Sequence, residues 1–227
     1  MKHLLLLIRH GESTWNVEHR LPGQLPGIEL TEAGRAQAQR LARALSMLQL
    51  SSIISSPLAR AVETAEYLVP GRAITIQREP DLMDIELGRW SGQNRDALFQ
   101  SDPAWKAFVR DPTVAPMDVE TFPKLEQRVV TAVDRWLKKD ATGPLPAFVT
   151  HADVIKLLLA HYLGLEVGRA RSLWIDNASV SVVTLETDRS PLVLTIGWNP
   201  QPGWLQPYIT TSEHVKSEGN AVGEQNA

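Results

Sequence analysis

Two histidines, two arginines and a group of acids follow short apolar runs in this chain. Arg9 and His10 come directly after Leu4–Ile8. Arg60 lies just beyond Ser52–Ile54. Asp81, Asp84 and Glu86 come after Ala73–Gln77, and His151 follows Ala147–Thr150. Each residue type has a chemistry. A guanidinium is a permanently charged fork of donors that matches the oxygens of a phosphate or carboxylate. A neutral imidazole nitrogen is a nucleophile or a base near neutral pH. A carboxyl group held protonated can donate to a leaving oxygen. Taken singly, a histidine at a strand end has a structural reading and an arginine near a helix start reads as a surface ion pair. Together they describe a cationic, donor-rich pocket whose natural ligand is an anion, and phosphate suits paired arginines best.

That pocket forms only if the apolar runs are strands of one sheet. Leu4–Arg9 reads as a buried strand, and Gly11–Leu30, rich in Gly and Pro, as a loop. Thr31 and Glu32 open a helix whose Ala38, Leu41, Ala42, Leu45 and Leu48 share a face. Ser52–Ile54 is the second strand. Ser55-Ser56-Pro57 reads as a helix start, with Ser as cap and Pro in the first turn, and the helix runs to about Leu68. Ala73–Gln77 reads as the third strand. The stretch 78–119 is less regular, with helical pieces around Arg95–Gln100 and Pro103–Val109, and is expected to be an insertion lining the site. Leu125–Leu137 is an amphipathic helix. Ala147–Thr150 is a strand leading into a helix over Ala152–Leu163, stopped by Gly164. Val180–Glu186 and Leu192–Trp198 form a closing hairpin. Alternating strands and helices predict a three-layer α/β/α sandwich with a mostly parallel central sheet, whose ligands bind beyond the carboxyl ends of the strands. One domain over 1–211 is expected, with 212–227, polar and aperiodic, as a disordered tail.

The chain has 227 residues and a formal net charge of -3, with 43% hydrophobic and 22% charged residues. These values exclude wholesale disorder and argue against a dedicated nucleic-acid binder. No cysteine is present, which removes thiol nucleophiles, disulfide scaffolds and Cys-ligated metals. His3, His19, His161 and His214 show no metal-ligand spacing, so no metal or cofactor is expected. The apolar run near the start is too short for a signal peptide and is broken by Arg9 and His10. No stretch approaches the roughly 20 apolar residues of a membrane helix. A cytoplasmic protein without nucleic-acid or membrane partners is expected, its oligomeric state open.

Five ordered blocks sharpen this reading. Leu7-Ile8-Arg9-His10-Gly11-Glu12-Ser13-Thr14-Trp15-Asn16 resembles the Arg-His-Gly signature of the histidine phosphatase superfamily, the phosphoglycerate mutase-like proteins of branch 1. Leu30–Gly34, Ser55–Ala65, Leu82–Gly92 and Val149–Asp153 resemble its later blocks in order, so that the likeness covers roughly residues 3–200. The resemblance implies a phosphoglycerate mutase-like fold and a phosphohistidine intermediate at His10. Arg9, Arg60 and His151 would hold phosphoryl oxygens, with Asn16 and, less centrally, Ser13 beside them. A loop acid would protonate the leaving oxygen. Where the family usually has Glu, this chain has Asp84, shorter by a methylene, and Glu86 two residues on is the second choice.

The function expected is metal-independent hydrolysis of a small phosphate ester. Mutase-type phosphoryl transfer is the alternative, and a non-catalytic phospho-ligand binder a third. The acid block lacks the Asn-Glu-Arg-His-Tyr-Gly form of cofactor-dependent mutases, which favours hydrolysis. Arg20 and Gln24 are further residues that could touch a substrate, and nothing in the sequence ranks sugar phosphates, phosphoserine, α-ribazole phosphate and phosphoglycerates as substrates.

Overall fold

The structure, a computed structural model, describes residues 2–201. The expected tail, 212–227, and the end of the expected domain lie outside the described residues. The chain runs β1 (Lys2–Arg9), α1 (Thr14–Val17), α2 (Glu32–Ala44), β2 (Ser52–Ser55), α3 (Ala59–Glu66) and β3 (Ile76–Arg78). It continues through α4 (Arg95–Ser101), α5 (Pro103–Arg110), α6 (Phe122–Leu137), β4 (Pro146–Thr150), α7 (Ala152–Leu163), β5 (Val180–Glu186) and β6 (Leu192–Trp198). Short 3-10 turns lie at Pro80–Leu82, Gly88–Trp90, Asp140–Thr142 and Val167–Ser172.

The six strands form one sheet in the order β3-β2-β4-β1-β5-β6. β1, β2, β3 and β4 pair in parallel, while β5 is antiparallel to both β1 and β6. Side chains alternate across each strand, so β1 feeds two cores. Leu5 and Leu7 join Phe148, Leu125, Val129 and Leu158 under α6 and α7. Leu6 and Ile8 join Ile53, Val149, Leu41 and Ala61 under α2 and α3. A sheet buried on both faces explains why these strands read as continuous apolar runs. Each such side chain contributes about 1.5–3 kcal/mol by leaving water. Because β1, β2 and β4 are parallel, their carboxyl ends share one edge, and that edge receives Arg9-His10, Ser55-Ser56 and Thr150-His151.

The segment 78–119 carries its own aromatic packing. Trp90 meets Trp105 edge-on at 5.1 Å and Phe108 at 5.4 Å, and Phe108 meets Phe122 of α6 at 6.4 Å. This ties the irregular stretch to the helical layer.

Three local expectations need correction. The loop 11–30 contains α1, begun by a reciprocal cap between Ser13 and Asn16. The motif lacks an apolar run after it, so periodicity cannot reveal it. β3 is three residues long, beginning at Ile76, because β2 offers only Ile53–Ser55 as pairing partners. α3 starts at Ala59, not Pro57, and has no side-chain cap. Ser56 Oγ instead lies 2.8 Å from His151 Nε2.

Candidate active site

At the carboxyl end of β1 the chain must turn sharply past α2, and two glycines permit it. A Cβ on Gly11 would stand 2.5 Å from the Gly34 carbonyl oxygen, and one on Gly34 would stand 2.0 Å from that of Glu12. The Gly11 N–H donates to Thr64 Oγ1 on α3 at 3.0 Å, and Thr31 N–H donates to the Glu12 carbonyl. His10 is thereby fixed between the first strand and two helices. Its Nδ1 lies 2.7 Å from the Gly11 carbonyl oxygen. A carbonyl can only accept, so Nδ1 carries the proton and Nε2 keeps its lone pair. Burial, with the Arg60 and Arg9 charges, holds the imidazolium form well below the ordinary histidine range. His10 is therefore a neutral ring with one nucleophilic nitrogen.

The two predicted arginines and the second histidine converge on this ring. Arg60 on α3 is fully buried, its Nη2 donating to the Gly23 carbonyl at 3.0 Å and to Asp84 Oδ2 at 3.2 Å. Its Nε and Nη1 have no partner, nor has Arg9 Nε. Arg9 Nη1 donates to the Ile175 carbonyl at 2.8 Å. The His151 ring centroid is 5.2 Å from that of His10, and its buried Nδ1 is unpartnered. Buried polar atoms without partners are rare, and four of those among the described residues belong to these three side chains.

Asp84 completes the group. Its Oδ2 is 3.7 Å from His151 Nδ1, and its Oδ1 accepts from Ile85 N–H at 3.0 Å. Burial raises its pKa, the like charge of Asp153 adds to that, and Arg60 opposes it. The loop beneath is pinned by Arg128, which donates to the carbonyls of Asp81, Met83 and Asp84 while paired with Glu120 at 2.8 Å. The Glu86 carboxylate is placed elsewhere: its Oε1 accepts from Gly88 N–H at 2.9 Å.

Asn16 lies beside Arg9 and His10 in a cavity of about 230 Å³. Its Oδ1 accepts from Ser13 N–H, Ser13 Oγ and Asn177 Nδ2 at 2.9, 3.0 and 3.2 Å. The backbone donor at Ser13 fixes which atom is the oxygen, so the amide nitrogen is the end left over. Ser13 is spent on this cap and lies outside the residues lining the cavity. Sequence reasoning missed Asn177, which also donates to the His10 carbonyl at 3.2 Å, and Asp153, Arg95 and His19 on the cavity wall. Neighbouring Ala178 adopts φ 48° so that its N–H reaches the same carbonyl at 3.0 Å. Asn177 and Ala178 precede β5 with no motif to mark them. Gln24 reaches the Asp84 carbonyl, not the cavity. Among the described residues no cluster of His, Asp or Glu is arranged to hold a metal ion, and no helix is long and apolar enough to cross a membrane.

This arrangement sets a neutral imidazole beside buried guanidiniums and a carboxyl whose pKa burial raises, a combination able to hold an anion. Known proteins resemble this chain in sequence and fold. A sequence model of the histidine phosphatase superfamily (branch 1) matches residues 5–197. A protein of Yersinia pestis (strain Pestoides F) named "Probable phosphoglycerate mutase GpmB" is 31% identical over 194 residues, 85% of this chain and 88% of its own. Bacillus stearothermophilus YhfR superposes with TM-score 0.78 at 35% identity, over 86% of this chain and 96% of that one. The alpha-ribazole phosphatase from Shigella flexneri gives TM-score 0.77 at 26% identity, over 86% and 96% of the two chains. A mycobacterial glucosyl-3-phosphoglycerate phosphatase gives TM-score 0.77 at 28% identity, over 88% and 100%. The chain belongs to the histidine phosphatase superfamily, branch 1, and is an enzyme of phosphatase or mutase type.

Proposed function

We propose that this member of the superfamily is a metal-independent phosphatase that hydrolyses a small phosphomonoester through a phosphohistidine at His10. In this reading His10, Asp84 and His151 are catalytic, Arg9, Asn16 and Arg60 bind phosphoryl oxygens, and residues 1–211 form one cytoplasmic catalytic domain lined by the insertion 78–119. The observation that supports it above the others is the His10–Gly11 contact of 2.7 Å, which leaves Nε2 unprotonated among unpaired guanidinium nitrogens.

His10 Nε2 attacks phosphorus as the bond to the ester oxygen breaks, and Asp84 gives that oxygen its proton. The charge on the equatorial oxygens is met by Arg9, Arg60 and His151, fixed beforehand by burial and hydrogen bonds. Water then attacks the phosphohistidine. Its proton returns to Asp84, the P–N bond breaks and inorganic phosphate leaves. A second reading, transfer back to another hydroxyl of the substrate, has in its favour the name of the Yersinia relative.

The test is hydrolysis of an aryl phosphate with excess chelator by the wild type and by His10→Ala. Chelator-resistant turnover that disappears in the variant is expected. Turnover that stops with chelator defeats metal independence, and turnover that survives in the variant defeats the nucleophile. Interconversion of phosphoglycerates without phosphate release would establish the mutase reading instead.

A further inference from the structure

The two ring nitrogens of His151 have different surroundings. Nδ1 is buried, has no hydrogen-bond partner and lies 3.7 Å from Oδ2 of Asp84, a residue of the cavity wall. Nε2 lies 2.8 Å from Ser56 Oγ. Parallel pairing of β2 with β4 brings the two residues together. Ser55 is in register with Val149, and the Ser56 N–H donates to the Val149 carbonyl at 2.9 Å. Both side chains are fully buried, so bulk water satisfies neither. The ring is neutral, because burial, with the Arg60 and Arg9 charges, holds its imidazolium form well below the ordinary histidine range. A neutral imidazole carries one proton, and the positions of the ring atoms do not say on which nitrogen.

The balance of donors and acceptors assigns it. A hydroxyl has one hydrogen to give and two lone pairs to offer. Ser56 Oγ already accepts from the Leu58 N–H at 3.4 Å, and among the described residues His151 Nε2 is the one acceptor within its reach. With the proton on Nε2, two groups would fail together. The Ser56 hydrogen would be buried without an acceptor, and Nδ1 would turn a lone pair toward the Asp84 carboxyl and toward any bound phosphoryl oxygen. With the proton on Nδ1, Ser56 donates to Nε2, and the unpartnered nitrogen is a donor. The acid benefits as well. A lone pair on Nδ1 would be a base close to Asp84, competing with the leaving oxygen for the carboxyl proton, whereas an N–H does not compete.

We propose that Ser56 is a positioning residue that commits His151 to the Nδ1–H tautomer, so that His151 serves the phosphoryl group as a neutral hydrogen-bond donor. The role rests on the function proposed above, which places that group beside His10. The serine's hydroxyl thus works on the site and not on the helix, and α3 begins without a side-chain cap.

The experiment reads the tautomer by heteronuclear NMR of the imidazole nitrogens in the full chain at neutral pH, with and without inorganic phosphate. His151→Ala identifies the signal among the six histidines. The wild type is expected to show Nδ1–H in both conditions. Ser56→Ala should move a large part of the population to Nε2–H, and Ser56→Thr, which keeps a hydroxyl, should retain Nδ1–H. Inorganic phosphate should bind about tenfold more weakly to Ser56→Ala than to the wild type, through loss of one donor to a charged group. In a His151→Ala background the same substitution should change affinity by less than about twofold, because the group it acts through is gone. Nε2–H in the wild type, an unchanged tautomer in Ser56→Ala, or equal losses in the two backgrounds overturns the proposal. Should Ser56→Ala not fold, the wild-type spectrum and Ser56→Thr decide. If the tautomer and phosphate results hold but the wild type hydrolyses nothing, the phosphatase reading fails and the role of Ser56 stands. Turnover by a wild type whose His151 carries Nε2–H overturns that role and leaves the phosphatase reading intact.

Discussion

The two ends of the cavity are built differently. At the inner end the lining residue His10 is 3% exposed, with Arg60 and His151 fully buried behind the wall, all set by parallel strands and the helices after them. At the outer end the Arg95, His19 and Arg20 side chains are 55%, 52% and 40% exposed, set by loops and a seven-residue helix. The inner groups share hydrogen bonds and a low-dielectric surround, so each is worth several kcal/mol to charge that develops there. The outer groups face water and salt and are worth far less. On the proposed function, a fold divided this way keeps its nucleophile and arginines at the ends of regular elements, holds the acid Asp84 on a pinned loop, and leaves selectivity to segments that can change without disturbing the sheet.

The contrast can be broken by substitution, starting where the effect is greatest. His10→Ala should lower kcat by about 10⁴–10⁶-fold, as for the loss of a nucleophile acting within a catalytic unit. Loss of less than tenfold would mean that the inner end is not the reacting end. Arg60→Ala should cost about 10²–10³-fold in kcat, in line with removing one charge-stabilising donor. It should also shift the pH profile. Asp84 donates only while protonated, so turnover falls as pH rises through its pKa. Arg60 holds that pKa down against burial. Without Arg60 the alkaline limb should therefore move to higher pH; an unmoved limb would assign proton donation to another group. The acid limb should lie below the ordinary histidine range in the wild type, because His10 resists protonation.

Asp84→Asn should reduce kcat by about 10²-fold or more on an alkyl phosphate and much less on a nitrophenyl phosphate, whose leaving group needs little help. Equal losses on both would point to a structural role. Arg128→Ala loosens the loop bearing Asp84 without touching the cavity, and about a tenfold loss in kcat with little change in KM is expected. Phe108→Ala tests how far the outer segment depends on its aromatic packing. It should cost about 3–5 kcal/mol in denaturant unfolding, with effects on KM larger than on kcat.

The same contrast describes what could be read from the sequence. Leu4–Arg9, Ala147–Thr150 and the helices after Glu32, Leu125 and Ala152 announce themselves by apolar runs, 3.6-residue spacing and a stop at Gly164, and the structure has them within a few residues. Arg9, His10 and His151 are legible from their places after those strands and Arg60 from its place after Ser52–Ile54, while the family block Leu82–Gly92 singles out Asp84 from the neighbouring acids. What stayed hidden lacked periodicity. α1 rests on one reciprocal cap. Asn177 acts through a loop held open by the left-handed backbone of Ala178. Ser56 departs from its expected role as a helix cap because its oxygen faces His151, and the carboxylate of Glu86, the second choice of acid, accepts from Gly88 N–H. Competition of that kind is invisible without coordinates. The exposed arginines of the outer wall resemble any surface charge until Trp15 and Gly92 are seen holding one of them.

The back-to-back contact of Gly11 and Gly34 limits how this protein could be redesigned. Two main chains touch there with no gap for even a methyl group. Replacing either glycine by alanine would force the end of β1 and α2 apart, and replacing both would compound the strain, since each added methyl meets the opposite segment's backbone and not a side chain. No second-site change within a side chain can compensate. In a saturation library these two positions should stay empty under selection for folding alone, before any enzyme assay is run. Variation aimed at new substrates is better spent at Arg20 and Arg95, whose side chains are 40% and 55% exposed.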